Sequence, residues 1–287
     1  MILIDSGVSG NKDVGDNAIL DLTINYLVRF DTVCVLEADF PWAKRFRSRL
    51  LQNLLFLFKI TVKCDRLWIC SGGLFKHKGW AFILRKLIVV AIARFFRKPV
   101  YVDAQTVYLK GFWKALFKLV FRGLTINCRD DFSLLECKTL GLKCKRKEDI
   151  VFKKPLREKK TIPGRVVIDG RYKFSPPVVK EFVEKWISEN VRNHKNLIEV
   201  PTIQTSLDWR KIEKTFQTAE IAICVSFHAA VFAYNAGVKR IICVYNDEYY
   251  HRKFSVFSNA EKIDLRRKHK FNSIEHHFST RPSYKNV

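Results

Sequence analysis

The sequence predicts an α/β protein made of parallel sheets and divided into two domains. Three observations predict it. Short apolar runs alternate with longer amphipathic stretches along most of the chain. A charge-dense segment, Lys143–Lys160, interrupts that alternation once. Beyond it the alternation resumes and contains Ile221–Val244, which reads as strand, Ala-rich helix, glycine stop and second strand: a βαβ unit.

Taken in order, Met1–Ile4 is a first strand and Ser6–Asp16 a glycine-rich turn. Asn17–Arg29 is a helix because Ile19, Leu20, Ile24 and Leu27 share one face. Thr32–Leu36 is a strand, followed by a basic helix over Trp42–Phe58. Arg66–Cys70 is a strand that ends in Ser71-Gly72-Gly73. Gly79–Arg97 is a helix, Pro99–Val102 a strand, Gly111–Arg122 a helix and Leu124–Cys128 a strand. Asp130–Leu140 is a helix stopped by Gly141. Lys143–Lys160 is taken as the crossing between domains. This gives an N-terminal domain over 1–150, a C-terminal domain over 151–265 and a basic tail over 266–287. The second domain holds strand Arg165–Asp169, helix Pro177–Asn190, strand Asn196–Val200 and helix Leu207–Thr218 before the βαβ unit. From Ala260 the chain is polar and basic, with a helix and a loose end expected.

At 287 residues, 48% hydrophobic, with 12 Gly and 8 Pro, the chain can bury a large core and is not disordered. Its formal net charge is +24. Between Lys44 and Arg122 stand 18 Lys and Arg against Asp65 and Asp103 alone, so that region's partner should be anionic. Phospholipid headgroups, a phosphorylated substrate and nucleic acid all qualify. Three basic stretches, Lys44–Lys59, Phe82–Lys98 and Gly111–Arg122, mix Lys and Arg with Phe, Trp and Leu. Each alone reads as a sheet-packed helix with a solvated face. Together they favour an anionic membrane surface. The helices are greasier than a duplex contact needs and no nucleic-acid module is recognised, so specific nucleic-acid binding ranks last.

The run Ala81–Phe96 carries Arg85, Lys86 and Arg94, so no spanning helix is expected. Of eight cysteines, Cys34, Cys70, Cys128, Cys224 and Cys243 sit in apolar runs and read as small core residues. None has zinc spacing, so reduced thiols are expected, with no metal and no disulfide framework. No signal peptide is read, and the expected location is the cytoplasm, peripheral on a membrane surface.

Four motifs carry candidate chemistry. His228 follows the first strand of the βαβ unit, at the sheet end where ligands sit in open α/β folds. An imidazole there serves as general acid or base, or caps a helix at the surface. In the first loop, Gly7, Gly10 and Gly15 let backbone N–H groups approach an anion or sugar, and Asp16 or Asn17 can cap the helix that follows. The loop is neither a clean GxGxxG nor a Walker motif. Gly72 and Gly73 permit a close approach as a cleft wall, or form a simple turn. Arg129 of Cys128-Arg129-Asp130-Asp131 can grip a carboxylate or phosphate, or pair with an aspartate.

Together these residues resemble the polysaccharide pyruvyl transferase family over roughly residues 1–257. Four blocks carry the resemblance: GNKDVGDNAIL, DRLWICSGGLF, INCRDDFSLLECKTLGLKC followed by DIVF, and AICVSFHAAVFAYNAGVKRIICVY. The last two, in that order and separation, are the specific ones. The resemblance implies two Rossmann-like domains facing a cleft, the glycosyltransferase B-like architecture. It implies transfer of pyruvate from phosphoenolpyruvate onto two hydroxyls of a sugar as a cyclic ketal, with phosphate released and no further cofactor. The acceptor would be a glycan or lipid-linked saccharide. His228 matches the family's catalytic histidine and Arg129 its donor-holding arginine, with Gly72, Gly73 and Ser226 beside the donor. Asn11, Gly15, Asp16, Tyr245 and Asp247 are candidates for orienting the acceptor in the cleft.

One departure stands out. The family's Arg-Leu-His triplet reads Ser226-Phe227-His228 here, and Asn246-Asp247-Glu248 follow the second strand where a lysine is often found. A positive charge is missing where an anionic donor should bind. Arg252, Lys253, Lys239 or Arg240 could replace it, or the donor could differ. Two rival readings follow: a glycosyltransferase with a nucleotide-sugar donor, and a degenerate member that binds glycan or membrane without turnover.

Overall fold

The computed structural model describes residues 1–5, 14–36, 54–76, 80–152, 161–191, 194–202 and 208–266. The first sheet contains β1 (Ile2–Asp5), β2 (Val33–Leu36), β3 (Arg66–Ile69), β4 (Gly72–Lys76), β5 (Val100–Tyr108), β6 (Thr125–Cys128) and β7 (Lys143–Arg146). Its order is β2-β1-β3-β5-β6-β7, with β4 beside β5. The second contains β8 (Val166–Asp169), β9 (Leu197–Val200), β10 (Ile221–Cys224), β11 (Arg240–Tyr245) and β12 (Glu261–Asp264), ordered β9-β8-β10-β11-β12. Among the described residues every pairing is parallel. Strand order reverses between β1 and β3, and again between β8 and β10. In doubly wound sheets the crevice outside the carboxyl ends at such a reversal is where ligands bind.

Around the first sheet lie α1 (Val14–Leu27), α2 (54–63), α3 (Trp80–Phe95), α4 (Phe112–Phe121) and α5 (Asp131–Thr139). Around the second lie α6 (Pro177–Asn190), α7 (Trp209–Gln217), α8 (Phe227–Asn235) and α9 (Glu248–Phe254). The two domains share one apolar core. Ile2 and Ile4 of β1 and Ala18, Ile19 and Leu27 of α1 are in the same buried cluster as Trp209 and Phe216 of α7 and Val231 and Phe232 of α8. Asp21 of α1 adds polar ties, accepting from Trp209 Nε1 (3.2 Å) and Arg210 Nη2 (2.7 Å).

The structure departs from the sequence reading in instructive places. The strand expected over Pro99–Val102 runs to Tyr108 and is buried from Val102 to Val107. The polar residues of the added stretch are buried with partners. Asp103 accepts from Ser71 Oγ at 2.9 Å and pairs with Lys147 at 2.5 Å, and Gln105 donates to the Cys70 and Asp103 carbonyls. Lys143–Arg146, assigned to the domain crossing, is an edge strand whose charged side chains are largely in solvent. Gly72 and Gly73 do not form a simple turn but open a strand, β4. The helix expected over Asn17–Arg29 starts at Val14. Of the basic helix expected over Trp42–Phe58, residues 42–53 lie outside the described residues, and the helix runs on to 63. In place of the expected polar tail, Glu261–Asp264 adds β12 to the sheet beside β11, while 267–287 lie outside the described residues. Cys34, expected in the core, is half-buried because β2 is an edge strand.

Candidate functional site

The carboxyl ends of the two sheets meet where α1 and α8 begin. Ser226 precedes α8 and caps it, its hydroxyl accepting the Ala229 N–H at 3.4 Å. Serine is a favoured residue at that position because its short hydroxyl reaches an unpaired N–H of the first turn. Phe227 and His228 open the helix, and both are buried. His228 therefore lies in the first turn of α8 and not on the end of β10 as the pattern suggested.

The first turn of α1 approaches from the other domain. Val14 N–H donates to the Thr202 carbonyl at 3.2 Å, fixing the helix start on the second domain. Gly15 follows, inside the helix. A Cβ on Gly15 would lie 1.8 Å from His228 Cγ and 2.1 Å from its Nδ1. Only glycine lets the imidazole rest on α1, so two of the sequence candidates are in direct contact. Asp16 Oδ1 stands 3.9 Å from His228 Nε2, longer than a hydrogen bond.

Arg129 ties the third block to the fourth. Its backbone N–H donates to the Gln105 carbonyl at 2.9 Å, and Gln105 is the partner of Gly72 across β4 and β5. Gly72 has φ of 142°, which suits glycine. The Arg129 guanidinium is buried. Its Nη1 donates to Asp149 at 2.8 Å, and its Nε and Nη2 to Thr106 Oγ1 at 3.1 and 2.9 Å. Its Cζ sits 4.2 Å from the Phe227 ring centroid, one residue from His228. Asp130 caps α5, accepting the Ser133 N–H at 2.7 Å.

A second cation reaches the same ring. Lys253 of α9 is 8% exposed, and its Nζ lies 5.3 Å from the Phe227 centroid and 4.6 Å from that of Tyr249. Among the four replacement cations named from sequence, Lys253 is the one placed at Phe227. Arg252 stacks on Tyr108 and Phe132 at 4.7 and 5.2 Å, Arg240 pairs with Glu261, and Lys239 lines a cavity at the far end of α8. Tyr249 was missed. Burial pushes its phenol well above the ordinary value, with Arg129 opposing and Asp16 and Asp130 adding, so it sits within the field of three site charges. The spacing of Tyr249 and Lys253, four residues apart on one helix face, was the available signal.

The remaining candidates form a neighbouring group. Tyr245 ends β11, its hydroxyl 3.1 Å from His251 Nδ1, and burial raises it to about 12. Asp247 caps α9, accepting the Tyr250 N–H at 2.7 Å. Asn11 lies outside the described residues. A cavity of about 350 Å³ opens at the far end of α8, lined by Arg129, Arg146, Glu148, Tyr234 and Lys239 among others. His228 is not among its lining residues.

These features define a two-domain, doubly wound protein with a titratable residue and buried cations at the junction of its sheets. The profile of the polysaccharide pyruvyl transferase family matches residues 13–248. The chain belongs to that family. Among curated proteins, no sequence matches it. Of solved structures, a Klebsiella pneumoniae protein of uncharacterised function is similar with a TM-score of 0.52 at 13% identity, covering 91% of this chain and 92% of that one. A candidate UDP-N-acetylglucosamine 2-epimerase from Listeria monocytogenes is similar with a TM-score of 0.54 at 8% identity, covering 92% and 83%. At such identities the likeness is one of fold, and the fold is glycosyltransferase B-like.

Proposed function

We propose that the protein transfers pyruvate from phosphoenolpyruvate to a sugar of a glycan or lipid-linked saccharide, forming a cyclic ketal, and works peripherally at an anionic membrane surface. The observation that carries the reading is the convergence of Gly15, Asp16 and His228 beside a phenylalanine flanked by Arg129 and Lys253. In the reaction, C3 of the enol accepts a proton and two sugar oxygens bond to C2. The C2–O bond to phosphate breaks, and the second hydroxyl proton leaves with the phosphate. His228 is the group that moves a proton, with Asp16 Oδ1 3.9 Å from its Nε2. Lys253 supplies the positive charge that Ser226 does not, and Arg129, held by Asp149, completes the field that receives the donor's carboxylate and phosphate. The N-terminus of α8 points at the same place. In this reading Gly72 and Gly73 would serve the donor, and Tyr245 and Asp247 the acceptor.

Thermal unfolding with phosphoenolpyruvate, and separately with a panel of nucleotide sugars, tests the reading. Ligand at a hundred times its dissociation constant stabilises by about 2.7 kcal/mol. Stabilisation by phosphoenolpyruvate that disappears in Lys253→Met and returns in part in Lys253→Arg is expected. Stabilisation by a nucleotide sugar in its place would move the protein to the glycosyltransferase class. No response to any donor would leave a binding protein without turnover.

A further inference from the structure

We infer that the amino-terminal edge of the first sheet, on the side away from the site, is a docking face for an anionic lipid bilayer. Connectivity places it there. In a parallel sheet each crossover helix runs back against its strands. The carboxyl ends of α1, α2, α3 and α4 therefore gather where β2, β3, β5 and β6 begin. Those ends carry exposed apolar side chains that a soluble edge does not need. Phe95 is 81% exposed, Leu119 68% and Phe30 63%, with Phe58, Phe96 and Tyr101 also exposed. The rings form two groups: Phe58 meets Phe96 at 5.6 Å and Phe96 meets Phe95 at 5.2 Å, while Tyr101 stacks on Trp68 at 5.5 Å and Trp68 reaches Phe30 through Tyr26. Arg94 of α3 donates to the Val120 carbonyl at 2.6 Å and holds the end of α4 against it.

Charge selects the occupant. In the stretches 26–32, 58–66, 94–101 and 118–125, nine Lys and Arg stand against Asp31 and Asp65. Such a face repels a second copy of itself and attracts acidic headgroups, while its rings can enter the interface beneath them. The geometry also corrects the simplest picture of basic helices lying flat on lipid. Arg85 and Lys86, the central cations of α3, turn inward and pair with Asp5 at 2.6 and 3.0 Å, and both are buried. Contact is made by helix ends. Among the described residues no helix is long and apolar enough to cross a membrane. Docked by this edge, the site stands off the lipid by the length of α3, whose 16 residues span about 24 Å. The acceptor sugar would then be one held at a distance from its lipid anchor.

The test reads binding and not turnover, so it can fail while the transferase reading stands. The full chain is sedimented with vesicles of phosphatidylcholine containing one-third phosphatidylglycerol, with vesicles of phosphatidylcholine alone, and mixed with duplex DNA. Binding to the anionic vesicles is expected, weakened about tenfold or more in Phe95→Ser/Leu119→Ser. Both positions are exposed, so the variant should unfold at the temperature of the parent; if it does not, Phe95→Ser alone is read. Absence of binding to anionic vesicles, binding unchanged by the variant, or tighter binding to duplex than to vesicles would each overturn the assignment.

Discussion

Replacing Gly15 by alanine separates two accounts of the site by the sign of the effect. Gly15 lies within α1 at an ordinary helical φ, so helix propensity alone predicts that Gly15→Ala stabilises the protein by about 0.5–1 kcal/mol. Contact with His228 predicts the opposite. The added Cβ would fall 1.8 Å from His228 Cγ and 2.2 Å from its Cβ, where real contacts do not come below 3.0 Å, so something must move by more than 1 Å. The imidazole is enclosed by Phe227 and the start of α8, and α1 is anchored at Val14, so neither side yields freely. Overpacking of this kind costs about 1–3 kcal/mol, and a displacement of about 1 Å at a reacting group can reduce turnover about a hundredfold. At roughly 2–4 °C per kcal/mol, the unfolding midpoint should fall by several degrees. A thermal melt reads this directly. In a His228→Gly background, which removes every clashing atom of the ring, Gly15→Ala should lose its penalty. A Gly15→Ala protein as stable as the parent, or more so, would refute the contact on which the site is built.

Other expectations follow from the same geometry. His228→Ala should abolish ketal formation with the fold retained, measured as phosphate release beside circular dichroism; undiminished release would remove His228 from the chemistry. Asp149→Ala leaves the buried Arg129 guanidinium without its carboxylate and should cost about 3–5 kcal/mol, whereas an exposed pair such as Arg240–Glu261 should cost under about 1 kcal/mol by the same denaturant titration. Stability should fall in alkali. Burial raises the thiol of Cys64 to about 11 and those of Cys70 and Cys243 to about 12, from 9.0. Above pH 9 the unfolded chain therefore binds fewer protons than the folded one, and stability drops as pH rises. Lys86, lowered to about 8 from 10.5 by burial, acts in the opposite direction between those values. Three thiols outweigh one ammonium, each uncompensated group being worth up to about 1.4 kcal/mol per pH unit. The melting temperature should decline between pH 9 and 10.5, and a flat or rising profile would contradict it.

The sequence by itself determined the alternation of strands and helices, the two sheets and the residues that bear charge and an imidazole. Periodicity is a local property, and Ile221–Val244 carries its βαβ pattern wherever it is placed. The four blocks also sufficed to find the family, since their order and spacing are written in the chain. Tertiary structure decided what those residues touch. β5 runs beyond the expected Val102 because Ser71, Lys147 and Arg129, all distant in sequence, partner its buried Asp103 and Thr106. Gly15 read as a place where backbone approaches an anion or sugar, and only the packing of α1 on α8 sets it against His228. Lys253 was one of four equivalent cations in sequence. Its distinction comes from α9 folding back over Phe227, a contact between residues 26 apart that no local pattern encodes. The basic helices likewise gave their composition in sequence, but which cations turn inward depends on Asp5, some 80 residues away.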